Sequence, residues 1–178
     1  MKKLILIFTG VFLITGCGES QVPIPKVREQ LTVAVSSENP ALTAYSYYGL
    51  HEKYDRQELA NLVGVDPLRT EWCAAFVNSV LNESGIAGSE SVSEHPLLAR
   101  SFLQWGTPVE SQDILPGDLV IFPRGNSDWQ GHIGFYLRSI NNNGKELYFI
   151  LGGNQSNKVS VQSFSATNVL GIRRHKNF

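Results

Sequence analysis

The stretch EWCAAFVNSVL, Glu71 to Leu81, is apolar and mostly helix-forming, and it carries one of only two cysteines in the chain. Thr70 is a candidate N-cap for this helix, which places Cys73 at about the third helical position. There the unpaired backbone N–H groups and the positive end of the dipole favour a thiolate over a thiol. The same amides could bind a developing oxyanion. Ala74 and Ala75 keep the approach open, while Phe76, Val77, Val80 and Leu81 form an apolar stripe that buries the helix. Free cysteine is also one of the most buried residue types, so position alone leaves packing and chemistry both open for Cys73. Glu71 could tune the thiol, or could be a solvated acid favourable to the helix dipole.

A thiolate nucleophile needs a base that is also a proton donor, normally histidine. Four histidines are present. His51 lies in a polar front segment, His95 precedes Pro96 in a loop, and His175 stands in the basic tail RRHKNF; each reads as a solvated surface residue. His132 differs. It begins HIGFYLRSI just after the loop GNSDWQG, with Gly131 and Gly134 leaving space around it, and a histidine at a strand end can face a cleft while the strand fixes its backbone. Asn142-Asn143-Gly144 predicts a hairpin between HIGFYLRSI and ELYFILGGNQ. Centring the turn on Asn143-Gly144 puts residue 155 opposite His132; shifting it back by one residue puts 153 there. Asn154 and Gln155 therefore fall beside His132, and either amide could accept the imidazole N–H and hold the tautomer a base requires. A glycine-rich loop with polar caps is the plainer account of GGNQ.

These residues must be positioned by two kinds of element. In DRQELANLVG, Asp55 is the expected N-cap with Glu58 three residues on, and Gly64 is a stop signal. The helix containing Cys73 should end near Ser84-Gly85, and Pro96 suits the first position of a helix over PLLARSFLQW, closed by Gly106. After Pro116-Gly117 the period changes. DLVIFP, HIGFYLRSI, ELYFILGG, KVSVQSFS and VLGIRR read as about five strands separated by turn compositions. Helices first and a strand meander second predict an α+β fold, with N-terminal helices packed on an antiparallel sheet.

The chain begins with Lys2 and Lys3 and the apolar run LILIFTGVFLI, which is too short to span a bilayer and reads as an export signal over residues 1–17. Ile14-Thr15-Gly16-Cys17 looks like the lipobox of bacterial lipoproteins, in which Cys17 becomes the lipidated N-terminus. That resemblance implies an exported protein held on a membrane by its N-terminal lipid, and Gly18 would leave it free to reach an outer membrane, facing the periplasm, if the cell has one. Residues 18–40, with Pro23, Pro25 and Pro40, read as a tether in which LTVAV could dock as an edge strand. If Cys17 is lipidated or removed, Cys73 has no partner within the chain. Residues 41–178 are enough for one domain with a real core. Lys2 and Lys3 leave with the signal, and the remaining charge is mildly acidic, with no basic patch to mark a nucleic-acid footprint. One cysteine and scattered histidines lack the paired spacings of zinc sites, so neither metal nor cofactor is expected.

WCAAFVN at a helix start, LPGDLVIF, GHIGFY and GGNQ, in that order, resemble the papain-like cell-wall hydrolases of the NlpC and CHAP type, and most of all a subgroup with a GGNQ signature after the histidine strand. The match runs roughly from Ala41 to Arg174. It implies Cys73 as nucleophile, His132 as base and a polar third residue on the following strand. CHAP relatives often carry Glu-x-Asn there; this chain has Gly152-Gly153-Asn154, so Asn154 is the nearer carry-over, with Gln155 as the alternative. It also implies peptidoglycan as substrate, cut within the stem peptide or at its amide to the sugar through a thioester acyl-enzyme. Trp129, in a polar loop before His132, is a candidate to line the groove, whereas Trp72 and Trp105 read as core. The rival expectation is a non-catalytic, wall-binding lipoprotein on a degenerate fold, with Cys73 kept for packing.

Overall fold

The structure, a computed structural model, describes residues 39–176. The export signal, Cys17 and the tether as far as residue 38, LTVAV included, lie outside those residues. Among the described residues three α-helices come first: α1 (Pro40–Ser46), α2 (Arg56–Val63) and α3 (Cys73–Glu83). Short 3-10 turns follow, among them Ala99–Gln104. Six strands complete the fold: β1 (Thr107–Pro108), β2 (Leu119–Pro123), β3 (Gly131–Asn142), β4 (Lys145–Gly152), β5 (Ser160–Ser165) and β6 (Gly171–Arg174). They form one antiparallel sheet in the order β1-β6-β2-β3-β4-β5. The α+β expectation holds. The five expected strands are all present, and the two-residue β1 is an addition that pairs with β6.

The helices start and stop for local reasons. The Asn39 side chain accepts the Ala41 amide at 2.8 Å, and Pro40 takes the first helical position, where its missing N–H costs nothing. Asn39 Nδ2 also donates to the Pro116 carbonyl at 2.9 Å, tying the entry of the domain to the segment leading into β2. Asp55 stands at the N-cap of α2 but does not cap it by its side chain, which instead accepts the His51 amide at 2.9 Å. Gly64 ends that helix in the left-handed conformation. The expected helix after Pro96 is a 3-10 segment. Three residues per turn put Ala99, Phe102 and Trp105 on one buried face, while the Pro96 carbonyl is taken by Asn78 Nδ2 at 2.8 Å.

One face of the sheet packs on α3, where Phe76, Val77, Val80 and Leu81 meet Leu119, Ile121, Ile133, Phe135 and Leu151. Each such side chain, fully buried, contributes about 1.5–3 kcal/mol. The opposite face carries a smaller cluster of Val120, Phe122, Tyr136, Tyr148, Ile150 and Ile172. Among the described residues no helix is long and apolar enough to cross a membrane.

Candidate active site

The helix carrying the cysteine starts later than its sequence suggests. Trp72, not Thr70, is the N-cap, and Cys73 is the first helical residue. The cause is packing: Trp72 is fully buried, sets its ring edge-on to Phe76 and donates Nε1–H to Glu52 at 3.1 Å. Its carbonyl accepts the Phe76 amide at 2.9 Å, so the amides of Cys73, Ala74 and Ala75 have no partner within the helix.

β4 ends at Gly152, whose Cα lies 3.2 Å from where a Gly134 Cβ would stand, so Gly131–Ile133 run past the end of their neighbour strand. The Cys73 sulfur fills this edge. It lies 4.0 Å from the Gly131 carbonyl oxygen and accepts from the backbone amides of Ile133 and Ala74. Gly131 and Ile133 flank His132, so the sulfur touches the backbone on both sides of that residue.

His132 pairs with Phe122 across β2 and β3, and its ring stacks on Phe164 at 5.2 Å. Its Nε2 lies 3.0 Å from Gln155 Oε1. The Gln155 amide is itself pinned, because Nε2 donates to the carbonyls of Ile150, at 3.2 Å, and of Ser160. With both amide hydrogens committed to carbonyls, the oxygen must face the ring, so His132 Nε2 carries the hydrogen. In the neutral ring Nδ1 is then the basic nitrogen.

Asn154 goes elsewhere. Its Nδ2 donates to Glu71 Oε2 at 2.7 Å, and Arg124 Nη1 reaches the same oxygen at 2.9 Å. The split between the two neighbours follows from the turn: Asn154, Ser156 and Asn157 all have positive φ, of 56, 54 and 65°. Such conformations are sparsely populated by residues other than glycine and cluster at functional sites. They take Gln155 out of the ladder and into the sheet's end, while Asn154 faces the start of α3.

Burial governs the electrostatics. Cys73 is 3% exposed and His132 5%. Loss of water pushes the thiol up from its ordinary value, against the pull of the Arg124 charge and of the Ile133 and Ala74 amides, and Glu71 adds a small upward push. The same burial, aided by Arg124, lowers His132 to about 4, although its bond to Gln155 acts the other way. Desolvation therefore opposes the thiolate expected from the helix start, and it favours the neutral form of both Cys73 and His132.

The other sequence candidates separate cleanly. Trp72 and Trp105 are core, Trp105 donating to the Ala87 carbonyl at 2.8 Å. Trp129 is 60% exposed in the loop before β3. His51 lies under Tyr54, His95 is exposed and His175 tilts against Trp105. Among the described residues no group of three His, Cys, Asp or Glu could hold a metal. Arg124 is the residue that sequence reading passes over: it follows the strand-ending Pro123 in a loop composition, and only the fold brings it to Glu71.

No known family pattern matches the sequence, and no curated protein does. Among solved structures the chain is similar to the crystal structure of an NlpC/P60 family protein from Bacillus cereus ATCC 10987, with a TM-score of 0.46 and 14% identity, over 80% of this chain and 41% of that one. The chain thus spans less than half the length of that protein.

Proposed function

We propose that this chain is a cysteine hydrolase that cuts an amide of peptidoglycan, in the stem peptide or between peptide and sugar. In this reading Cys73 is the nucleophile and His132 the base. The observation that carries it is the His132–Gln155 bond, in which an amide with both hydrogens committed leaves Nδ1 as the basic nitrogen, while the Cys73 sulfur lies against the backbone that flanks His132. Gln155, not Asn154, is then the orienting residue.

The chemistry proceeds as acyl transfer. Nδ1 takes the thiol proton as sulfur attacks the carbonyl carbon, so that charge develops together with the new bond rather than in the resting site. The oxyanion is received by the free amide of Cys73 at the start of α3. His132 then gives its proton to the leaving amine, and the thioester is released by water that His132 activates. Lipidation at Cys17, export and attachment to a membrane belong to the same proposal and are supported by the sequence of the first 17 residues. Trp129 is proposed to line the groove.

The test is to incubate the full chain and its Cys73→Ala variant with purified peptidoglycan and identify the products by mass. Wild type should release fragments and the variant none; equal products from both, or none from either across a pH series, would overturn the reading. Gln155→Ala should lower turnover tenfold or more, roughly the loss expected when a base loses its tautomer, and Asn154→Ala should lower it less. One observation favours the rival reading of a wall-binding lipoprotein without activity, namely the burial of Cys73. A thiol that ignores iodoacetamide throughout pH 5 to 8 in the folded chain would support that rival.

A further inference from the structure

Two donors from separate parts of the fold converge on one oxygen beside Cys73. Arg124 comes from the loop after β2 and Asn154 from the turn after β4, and both meet Glu71 Oε2, at 2.9 and 2.7 Å. Their occupant is the chain's own carboxylate, two residues before the nucleophile. It is loosely held, since the Glu71 side chain is 72% exposed and that of Arg124 40%. An ion pair this exposed adds little to stability, and its partners exchange readily. Asn154 is buried and held in a left-handed conformation, so its amide stays in place if Glu71 leaves. Among the described residues Arg124 Nη1 is the guanidinium nitrogen that is engaged, which leaves further N–H groups for a second, bidentate contact.

We propose that Arg124 and Asn154 form a receptor for a carboxylate of the substrate, and that Glu71 fills it in the resting protein as a displaceable stand-in. The inference rests on the cysteine-hydrolase reading and sharpens its substrate class: a peptide with a free carboxyl group close to the amide that is cut. The exchange replaces one carboxylate by another, so no charge is left unpaired at the site. Glu71, already largely in water, moves fully into it. The incoming group gains a charge-assisted bond from Asn154 and a fork-like one from Arg124. A carboxamide in the same place would leave the Arg124 charge without its counterpart. Discrimination therefore arises from Arg124, which acts as a specificity residue.

The experiment uses two peptidoglycan stem peptides that differ only in whether the carboxyl group next to the cleaved amide is free or a carboxamide. For the full wild-type chain kcat/KM should favour the free acid by about tenfold, as for one lost charged hydrogen bond. Arg124→Gln should bring that ratio close to one. Glu71→Gln should raise kcat/KM for the acid through a lower KM, because the stand-in no longer competes. A salt bridge that merely pins the loop would make both variants slower on both peptides alike. A wild-type ratio of one, or a ratio that Arg124→Gln leaves intact, overturns the receptor. Calorimetric binding of both peptides to the Cys73→Ala chain, with and without Arg124→Gln, reads the site independently of cleavage. Cleavage of both peptides without preference removes the receptor and keeps the hydrolase; Arg124-dependent binding of the acid without cleavage does the opposite. Neither cleavage nor binding removes both.

Discussion

At the scale of single residues, the consequence of burial can be read through pH. His132 in the folded chain titrates at about 4 against an ordinary value of 6.5. Between those values the unfolded chain binds the additional proton, so stability falls as pH drops from about 6.5 through 4 and levels off below. The whole shift corresponds to about 3 kcal/mol. Urea unfolding from pH 7 to 4 should show this loss in wild type and a shallower one in His132→Asn; parallel slopes would mean that the ring keeps its ordinary proton affinity. The thiol behaves with the opposite sign: burial raises it, so the stability it contributes is present below its unfolded value and is lost as pH rises above. That Cys73 stands at a helix start and His132 at a strand start is legible in the sequence, because both are local patterns. The preference of both for the neutral form is not, since it depends on how much of the rest of the chain excludes water from them. Thr70 illustrates the same limit, for its capping chemistry is sound but the burial of Trp72 sets the start of α3 two residues later.

At the scale of elements, the hairpin and its turn do most of the positioning. Asn143 and Gly144 occupy the two turn positions with φ of 52 and 81°, as the Asn-Gly signal predicts, and Asn142 pairs with Lys145. A bulge between Tyr136 and Arg138 then shifts the pairing by one residue. The sequence carries no mark of that bulge, so projection along the ladder narrows the amide beside His132 to Asn154 or Gln155 without choosing. The choice comes from the left-handed turn that follows β4. Gly153 is where this turn presses on α3: a Cβ there would stand 2.5 Å from the Trp72 ring and 2.7 Å from Phe76 Cβ. Neither neighbour is a flexible side-chain end. Gly153→Ala should therefore destabilise the fold by about 1–3 kcal/mol, as overpacking does, and should also move Gln155 off His132. Thermal unfolding with turnover on the same samples checks both, and an unchanged midpoint would mean that the turn yields at no cost.

At the scale of the whole molecule, the last strand is locked to the first long one by a buried ion pair. Arg174 Nε and Nη2 reach the two Asp118 oxygens at 2.7 and 2.8 Å, and Nη2 also donates to the Asp113 carbonyl at 2.8 Å. Asp118 is almost fully buried and accepts the Leu115 amide as well. Arg174→Met would leave that carboxylate without its counter-charge, at a cost of about 3–5 kcal/mol, and denaturant unfolding should record the loss. A loss below about 1 kcal/mol would show that water reaches Asp118 once the guanidinium is gone.

Asn39 binds the Pro116 carbonyl ahead of β2, whereas His132 pairs with Phe122 near the far end of that strand and the Cys73 sulfur lies by Gly131, opposite Pro123. Five strand residues, about 17 Å, separate the two ends. Asn39 and the Cys73–His132 region therefore sit toward opposite ends of β2. Anything that grips the chain ahead of residue 39 holds the domain by the first of these ends, and Cys73 and His132 then lie toward the end away from that grip.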